Sequence, residues 1–206
     1  TNPYGPLLAR AMAKIGVELV SAQVEDLSKE WLNEHRGELD VLHIHWPHYT
    51  YTRPDLEESV ANCSELMENL WYARHLGYKV VWTVHNLYPH ESIHPELDRI
   101  ARMAISEIAS ALIVHCEYGR AMVERWFHRT EGVFTIPHGN FIDAYPNEIT
   151  RQKAREHLGL SNENFVYLFF GNVRPYKGVE QLLETFSELS GEHLRLLLAA
   201  KLNTEY

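Results

Sequence analysis

Short runs of β-branched and apolar residues alternate in this chain with longer stretches whose apolar residues recur every three or four positions. No other feature constrains the fold as much. "DVLHIHW" (40–46), "KVVWTVH" (79–85), "ALIVH" (111–115) and "GVFTIP" (132–137) read as strands, and "VELV" (17–20) as another. A helix is expected from about Pro54, with Leu56, Val60, Cys63, Met67 and Leu70 on its apolar face and Gly77 as its stop. A second begins at Pro95 and turns Leu97, Ile100, Ala101, Ala104 and Ile108 inward; a third begins near Glu117. The opening stretch reads as a loop feeding a helix, with Leu7, Leu8, Ala11 and Ile15 as its apolar side. Strands alternating with helices imply parallel strands joined by right-handed crossovers and covered on both faces, a doubly wound α/β sheet.

The pattern breaks between about Tyr145 and Asn164, where one short polar helix ends at Gly159. Residues 146–164 are therefore expected to connect a first domain, 1–145, to the opening of a second, 165–206. "FVYLFFGN", "GVEQLLETFSEL" and "LRLLLAA" form a strand–helix–strand unit too small to fold alone. With no strand ahead of the opening loop, the sequence is expected to be a fragment trimmed at both ends.

The 206 residues carry a formal charge of −9 and no basic tract, which argues against nucleic acid as a partner. There is no signal peptide and no membrane span, so a cytoplasmic location is expected. The two cysteines, Cys63 and Cys116, show no metal or redox spacing and read as buried free thiols in a reducing compartment. "EYGRAMVERWFHR" holds Arg120, Arg125 and Arg129 beside Trp126 and Phe127. It is the one candidate for touching a membrane's inner face, with an ordinary surface helix as the alternative.

"HESIH" (90–94) matches a zinc-protease pattern that works only on a continuous helix. Pro89 and Pro95 bracket it, so it reads as a loop with Pro95 in the first turn of the next helix.

In open α/β sheets ligands bind at the carboxyl ends of strands, and four such ends carry polar groups. "FFGNVRPYKGVEQLLETF" ends a strand at Gly171 and Asn172 and presents Arg174 and Lys177 before a helix opens near Gly178. Two cations at a helix N-terminus suit a diphosphate; two solvated charges are the alternative. "WTVHNLYPHE" places His85 and Asn86 at a strand end, with His90 and Glu91 following. His85 would orient a hydroxyl or move a proton, or else be a core histidine. In "IPHGNF", His138 and Gly139 follow another strand, and Gly139 permits a tight turn or a close backbone approach. "HIHWPHY" offers His43, His45 and His48 as metal ligands, but no carboxylate or cysteine completes the set. Lining an acceptor cleft, with Trp46 and Tyr49 against a sugar, is the better use of it.

Together these stretches resemble the family-four glycosyltransferases of the GT-B fold. "FFGNVRPYKGVEQLLETF" resembles the opening of that family's C-terminal domain. "NPYGPLL", "WTVHNLYPHE", "ALIVHCEYGR" and "IPHGNFIDAYP" resemble successive stations of its N-terminal domain, in order. The resemblance implies two Rossmann-like domains with a cleft between them. It implies transfer from a nucleotide-diphosphate sugar to a glycan, glycolipid or small acceptor, with retention of configuration and no cofactor or essential metal. On it, the donor is held by Arg174, Lys177, Gly171, Asn172, Gly5, His138 and Gly139, and His85 is the catalytic histidine of the cleft. Asn86, His90, Glu91, His45, Trp46 and His48 line the acceptor side. The family's paired glutamates lie beyond this sequence, and "LLLAAK" followed by "LNTEY" departs from its usual strand ending. A nucleotide-sugar epimerase and a non-catalytic sugar- or protein-binding module are the other readings.

Overall fold

The computed structural model describes residues 2–21, 27–142 and 144–201. The chain divides into two compact units, Thr1–Ile142 and Asp143–Tyr206. In the first, three helices, α1 (Tyr4–Ala13), α2 (Lys29–Glu34) and α3 (His48–Tyr51), flank the entry to the sheet, and three longer ones form its crossovers, α4 (Leu56–Leu76), α5 (Pro95–Ile108) and α6 (Glu117–Phe127). Strands β1 (Val41–Ile44), β2 (Lys79–Thr83), β3 (Ala111–Val114) and β4 (Val133–Thr135) pair in parallel in the order β1-β2-β3-β4. This is the expected Rossmann-like α/β architecture.

The strand registers decide the two faces. Ile44 lies beside Trp82, Trp82 beside Leu112, and Leu112 beside Val133. That face is buried under α4, α5 and α6, where Val80, Trp82, Leu112 and Val114 meet Leu66, Leu70, Ile105, Val123 and Phe127. The alternate residues His43, Thr83 and Ile113 point the other way, as period-two side chains must, and share a cavity with Leu7, Leu8 and Ala11 of α1.

Helix α4 starts where expected. Asp55 caps it by accepting from the Glu58 N–H at 2.9 Å, and Gly77 ends it at φ 105°. Its buried face, however, is Ser59, Cys63, Leu66, Leu70 and Ala73, while Leu56 and Val60 are exposed. Ser59 turns inward because its hydroxyl donates to the carbonyls of Arg53 and Asp55. Helix α5 begins at Pro95, and 90–94 is not helical, so "HESIH" lacks the geometry of a zinc motif. Ile100, expected inside, is exposed, and Asp98 and Arg102 take the buried face instead. "VELV" is no strand: the Val17 N–H turns back to the Met12 carbonyl, the stretch joins no ladder, Val17 and Val20 are exposed, and so is Ile15. Cys63 is buried as expected, but Cys116 is exposed at the N-cap of α6. In α6, Phe127 belongs to the core. Arg120 donates to the Val133 carbonyl at 2.6 Å, and Arg129 donates to the carbonyls of Ser106, Ala109 and Glu131. The segment is therefore an amphipathic surface helix whose arginines are largely spent on backbone. Among the described residues no helix is long and apolar enough to cross a membrane.

A polar network lies beneath α3 and α5. Tyr51 donates to Asp98 Oδ1 at 2.5 Å, and Arg102 Nη1 donates to Tyr51 at 2.7 Å and to Asp98 at 3.2 Å. Ser92 donates to the other carboxylate oxygen. Asp98 and Arg102 are each 2% exposed, so the two charges face each other in the interior.

The second unit holds α7 (Arg151–His157), β5 (Phe165–Asn172), α8 (Val179–Glu188) and β6 (Leu194–Lys201), with β5 and β6 parallel. Thr150 caps α7, and Gly159 follows it at φ 66°. Residues 146–164 fall within this unit, where Arg155 donates to the carbonyls of Ser161 and Asn164 at 2.5 and 2.7 Å. Within the described residues of this unit, apolar surface is left uncovered: Phe170 is 83% exposed. The "LNTEY" ending lies outside the described residues.

Asp98→Ala leaves the Arg102 guanidinium buried without its counter-charge and is expected to cost about 3–5 kcal/mol in urea unfolding. Adding Arg102→Met should recover part of that loss; a double variant no more stable than Asp98→Ala would show that the pair is not the source of the cost.

Candidate functional site

Four parallel strands in sequential order bring their carboxyl ends to one edge of the sheet, and each runs out into a histidine. His45 follows β1, His85 follows β2, His115 follows β3 and His138 follows β4. The rings gather there. His45 and His85 centroids are 5.3 Å apart, His85 and His115 5.0 Å, and His115 and His138 5.1 Å. His43, two residues back on the same face of β1, lies 4.3 Å from His45. Tyr4, in the first turn of α1, sits over the group at 5.5 Å from His45 and 5.2 Å from both His85 and His138. Trp46 stacks on His85 at 4.5 Å with the planes 13° apart.

The hydrogen bonds give this cluster a direction. His115 Nδ1 lies 3.0 Å from the carbonyl oxygen of Ile136. A carbonyl only accepts, so Nδ1 carries the proton and, in the neutral ring, Nε2 is bare. His85 Nδ1 is 3.2 Å from that Nε2 and donates to it. His85 Nε2 is then bare in turn and accepts from His45 Nδ1 at 3.0 Å. Three neutral imidazoles thus run head to tail, all protonated on Nδ1, and the series ends at His45 Nε2. Beside them His43 shares a 2.8 Å hydrogen bond with Thr83, and His138 Nδ1 donates to the Gly139 carbonyl at 2.7 Å.

Burial favours the neutral form of three of these rings, His43, His45 and His85. It lowers His45 to about 4, aided by repulsion from His43, His85 and His115. It lowers His85 to about 4 as well, with His115, His138 and His43 adding to the effect. His43 is also lowered by burial, and burial pushes the Tyr4 phenol up. Among the described residues no group of three or more histidine, cysteine or acidic side chains is set to hold a metal. His43 and His45 are instead spent on Thr83 and His85.

The remaining expected residues of this unit are placed as follows. His48 opens α3 away from the cluster, with Asp98 and Arg102 as its charged neighbours; burial, then Arg102, lower its pKa. Its Nδ1 is buried without a partner. Asn86 and His90 pair with each other at 3.2 Å in the exposed loop after His85, and Glu91 is exposed in the same loop. Gly5 and Gly139 have no positive φ, and a Cβ at either would meet nothing within 4 Å. The fold therefore does not require glycine there, and both backbones are open to approach. Two cavities adjoin the edge. One of about 390 Å³ lies under α1 and touches His43, His115 and His138; another of about 330 Å³ touches His45, Trp46 and Tyr49.

In the second unit β5 ends at Asn172, Arg174 is extended, Pro175–Lys177 forms a 3₁₀ turn, and α8 starts at Val179. Val173 and Val179, both 5% exposed, anchor the turn from either side. Gly171 (φ 136°) cannot be larger without strain, and an added Cβ would come within 3.2 Å of the Lys177 ammonium. Gly178 (φ 63°) turns the chain into α8, whose first N–H groups point back along the turn. Gly171 and Asn172 thus close β5 and Arg174 and Lys177 follow at the same strand end, the strand–turn–helix order expected from the sequence.

His115 and Tyr4 were not among the expected site residues. His115 had a signal, since "LIVH" repeats the strand-then-histidine ending of "WTVH". Tyr4 had none, because only the packing of α1 brings it over the cluster.

The lowered histidines make stability depend on pH. Between about 6.5 and about 4 the unfolded chain binds protons that folded His45 and His85 refuse, so stability falls as pH drops through that window and levels off above it. Urea midpoints measured from pH 8 to pH 4 should show this fall, and His85→Gln should flatten it; an unchanged slope in the variant would remove His85 as a source.

Comparison with known proteins follows the same lines. No family model matches the chain. Two curated proteins of Xanthomonas campestris pv. campestris, each named GDP-mannose:glycolipid 4-beta-D-mannosyltransferase, are 30% identical to it over 205 residues, covering 95% of this chain and 49% of theirs. The chain spans about half the length of the curated relatives it matches. Among solved structures, Anabaena Alr3699/HepE in complex with UDP aligns with a TM-score of 0.60 and 17% identity over 85% of this chain and 43% of that one. Its complex with UDP and glucose aligns at 0.56 and 19%, over 82% and 42%. By fold the chain is a Rossmann-like α/β protein of the GT-B kind, and along nearly its whole length it is similar in sequence to glycosyltransferases.

Proposed function

We propose that this chain is part of a glycosyltransferase that moves a sugar from a nucleoside-diphosphate sugar to a hydroxyl of a glycan or glycolipid. The basic turn after β5 carries the reading. Arg174 and Lys177 would meet the diphosphate, with the N–H groups of α8 adding partial positive charge, and would stabilise the leaving group as its charge develops. Two side-chain cations in that position could do for a diphosphate what a bound metal otherwise does, and on this reading transfer needs no metal. On this reading 1–145 is the acceptor-side domain and 165–206 belongs to the donor-binding one. Gly5, His138 and Gly139 would approach the donor, and His85, His45 and Trp46 the sugars. Support comes from similarity to mannosyltransferases that runs through both units, and from the fold shared with a protein solved with UDP.

Stereochemistry is where the resemblance and the relatives part. The resemblance implies retention, whereas the relatives are named for a β-linked mannoside. An α-linked nucleotide donor yields a β product only by inversion.

Arg174→Ala in the full-length protein should weaken binding of GDP or UDP about 10- to 100-fold, the worth of a charge-assisted hydrogen bond, in a calorimetric titration. Affinity within twofold of wild type would take Arg174 out of the site. Sugar nucleotide consumed without acceptor would point to an epimerase, and binding without turnover to a sugar-binding module.

A further inference from the structure

His85 holds the centre of the imidazole series and has no nitrogen left for a substrate: Nδ1 donates to His115 and Nε2 accepts from His45. The ring at the open end is His45. Its Nδ1 is used by His85, and among the described residues its Nε2 has no hydrogen-bond partner. His45 borders the cavity of about 330 Å³ that Trp46 and Tyr49 also line, a wall suited to a sugar ring.

Resting on the glycosyltransferase reading above, we infer that His45 Nε2 takes the proton of the acceptor hydroxyl. We infer too that His115 is a positioning residue which, through His85, fixes His45 in the tautomer that leaves this nitrogen bare. The Ile136 carbonyl sets the series, because it can only accept and so holds His115 on Nδ1–H. The acceptor O–H bond breaks and its proton moves to His45 Nε2. The oxygen's electron pair forms the new bond to the anomeric carbon. The bond from that carbon to the diphosphate oxygen breaks, and its electron pair leaves on the nucleoside diphosphate. A single displacement of this kind inverts the configuration of that carbon. The new charge need not stay on His45. Its Nδ1 proton can pass to His85 Nε2 while the His85 Nδ1 proton passes to His115 Nε2, leaving the imidazolium on His115 against the Ile136 carbonyl. The ionisable groups that face this path are His43 on β1, Tyr4 on α1 and His138 after β4.

The test uses the full-length protein and has two independent arms. Long-range ¹H–¹⁵N spectra of the imidazoles at pH 7.5 should show His45, His85 and His115 protonated on Nδ1, and His115→Phe should release His85 from that single tautomer. This arm needs no activity, and an Nε2–H tautomer for His85 in the wild type overturns the series. In the second arm, His45→Gln should lower kcat about 10²–10³-fold while leaving nucleoside diphosphate affinity unchanged. His115→Phe should lower kcat less, shift the acid limb of the kcat–pH profile and leave the donor KM alone. A His45→Gln kcat within threefold of wild type, or a product that retains configuration, overturns the proton transfer even if the tautomers are as stated. No transfer by the wild type from any nucleotide sugar overturns the glycosyltransferase reading and the base with it, while the spectra still decide whether the series exists.

Discussion

Parallel pairing of β1 to β4 in sequential order is the constraint on which the first unit's chemistry depends. A parallel ladder forces every strand to leave the sheet at the same edge, so whatever follows each strand is delivered to one place. Here that is an imidazole four times over. Antiparallel pairing of the same segments would send alternate histidines to opposite edges. The register adds the second condition: His43, Thr83 and Ile113 share the face under α1 because their backbone neighbours point into the core.

Packing then turns proximity into a defined protonation pattern. Half-burial makes the charged form costly, so His45 and His85 stay neutral at physiological pH. Neutral rings have one donor and one acceptor each, and a single backbone carbonyl at the end of the row orders them all. The buried Asp98–Arg102–Tyr51 network supports this edge from behind. It accepts Ser92 from the loop that leaves His85, while His94 in the same loop meets the Arg53 carbonyl at 2.9 Å. The loop after the central histidine is thus tied to α5 through Ser92 and to the segment before α4 through His94.

The basic turn of the second unit works by a different device. Its cations need no burial; they need a backbone that lets them approach the end of a strand. Gly171 supplies that room for Lys177, and Gly178 supplies the left-handed turn that aims α8 back at the same point. One device is a row of imidazole rings and the other a pair of permanent charges, and the proposed acceptor and donor roles rest on that division.

The sequence by itself determined the order and type of most elements, because periodicity, proline and glycine act locally. Pro95 starts α5, Gly77 ends α4, and the Arg174–Lys177–Gly178 spacing marks the strand–turn–helix without any tertiary information. Which helix face is buried was less legible. Ser59, Asp98 and Arg102 are polar in composition but inward in fact, since each finds its partner on a segment distant in sequence or one turn away. "VELV" failed as a strand for a related reason: a short run with three apolar residues becomes a strand only where a neighbour completes the ladder. Only the tertiary structure decided that Tyr4 and His115 join His45 and His85, and that His48 does not. Hydrogen-bond direction among rings depends on a carbonyl, Ile136, contributed by the backbone of a fourth segment, and no side-chain pattern in the sequence encodes it.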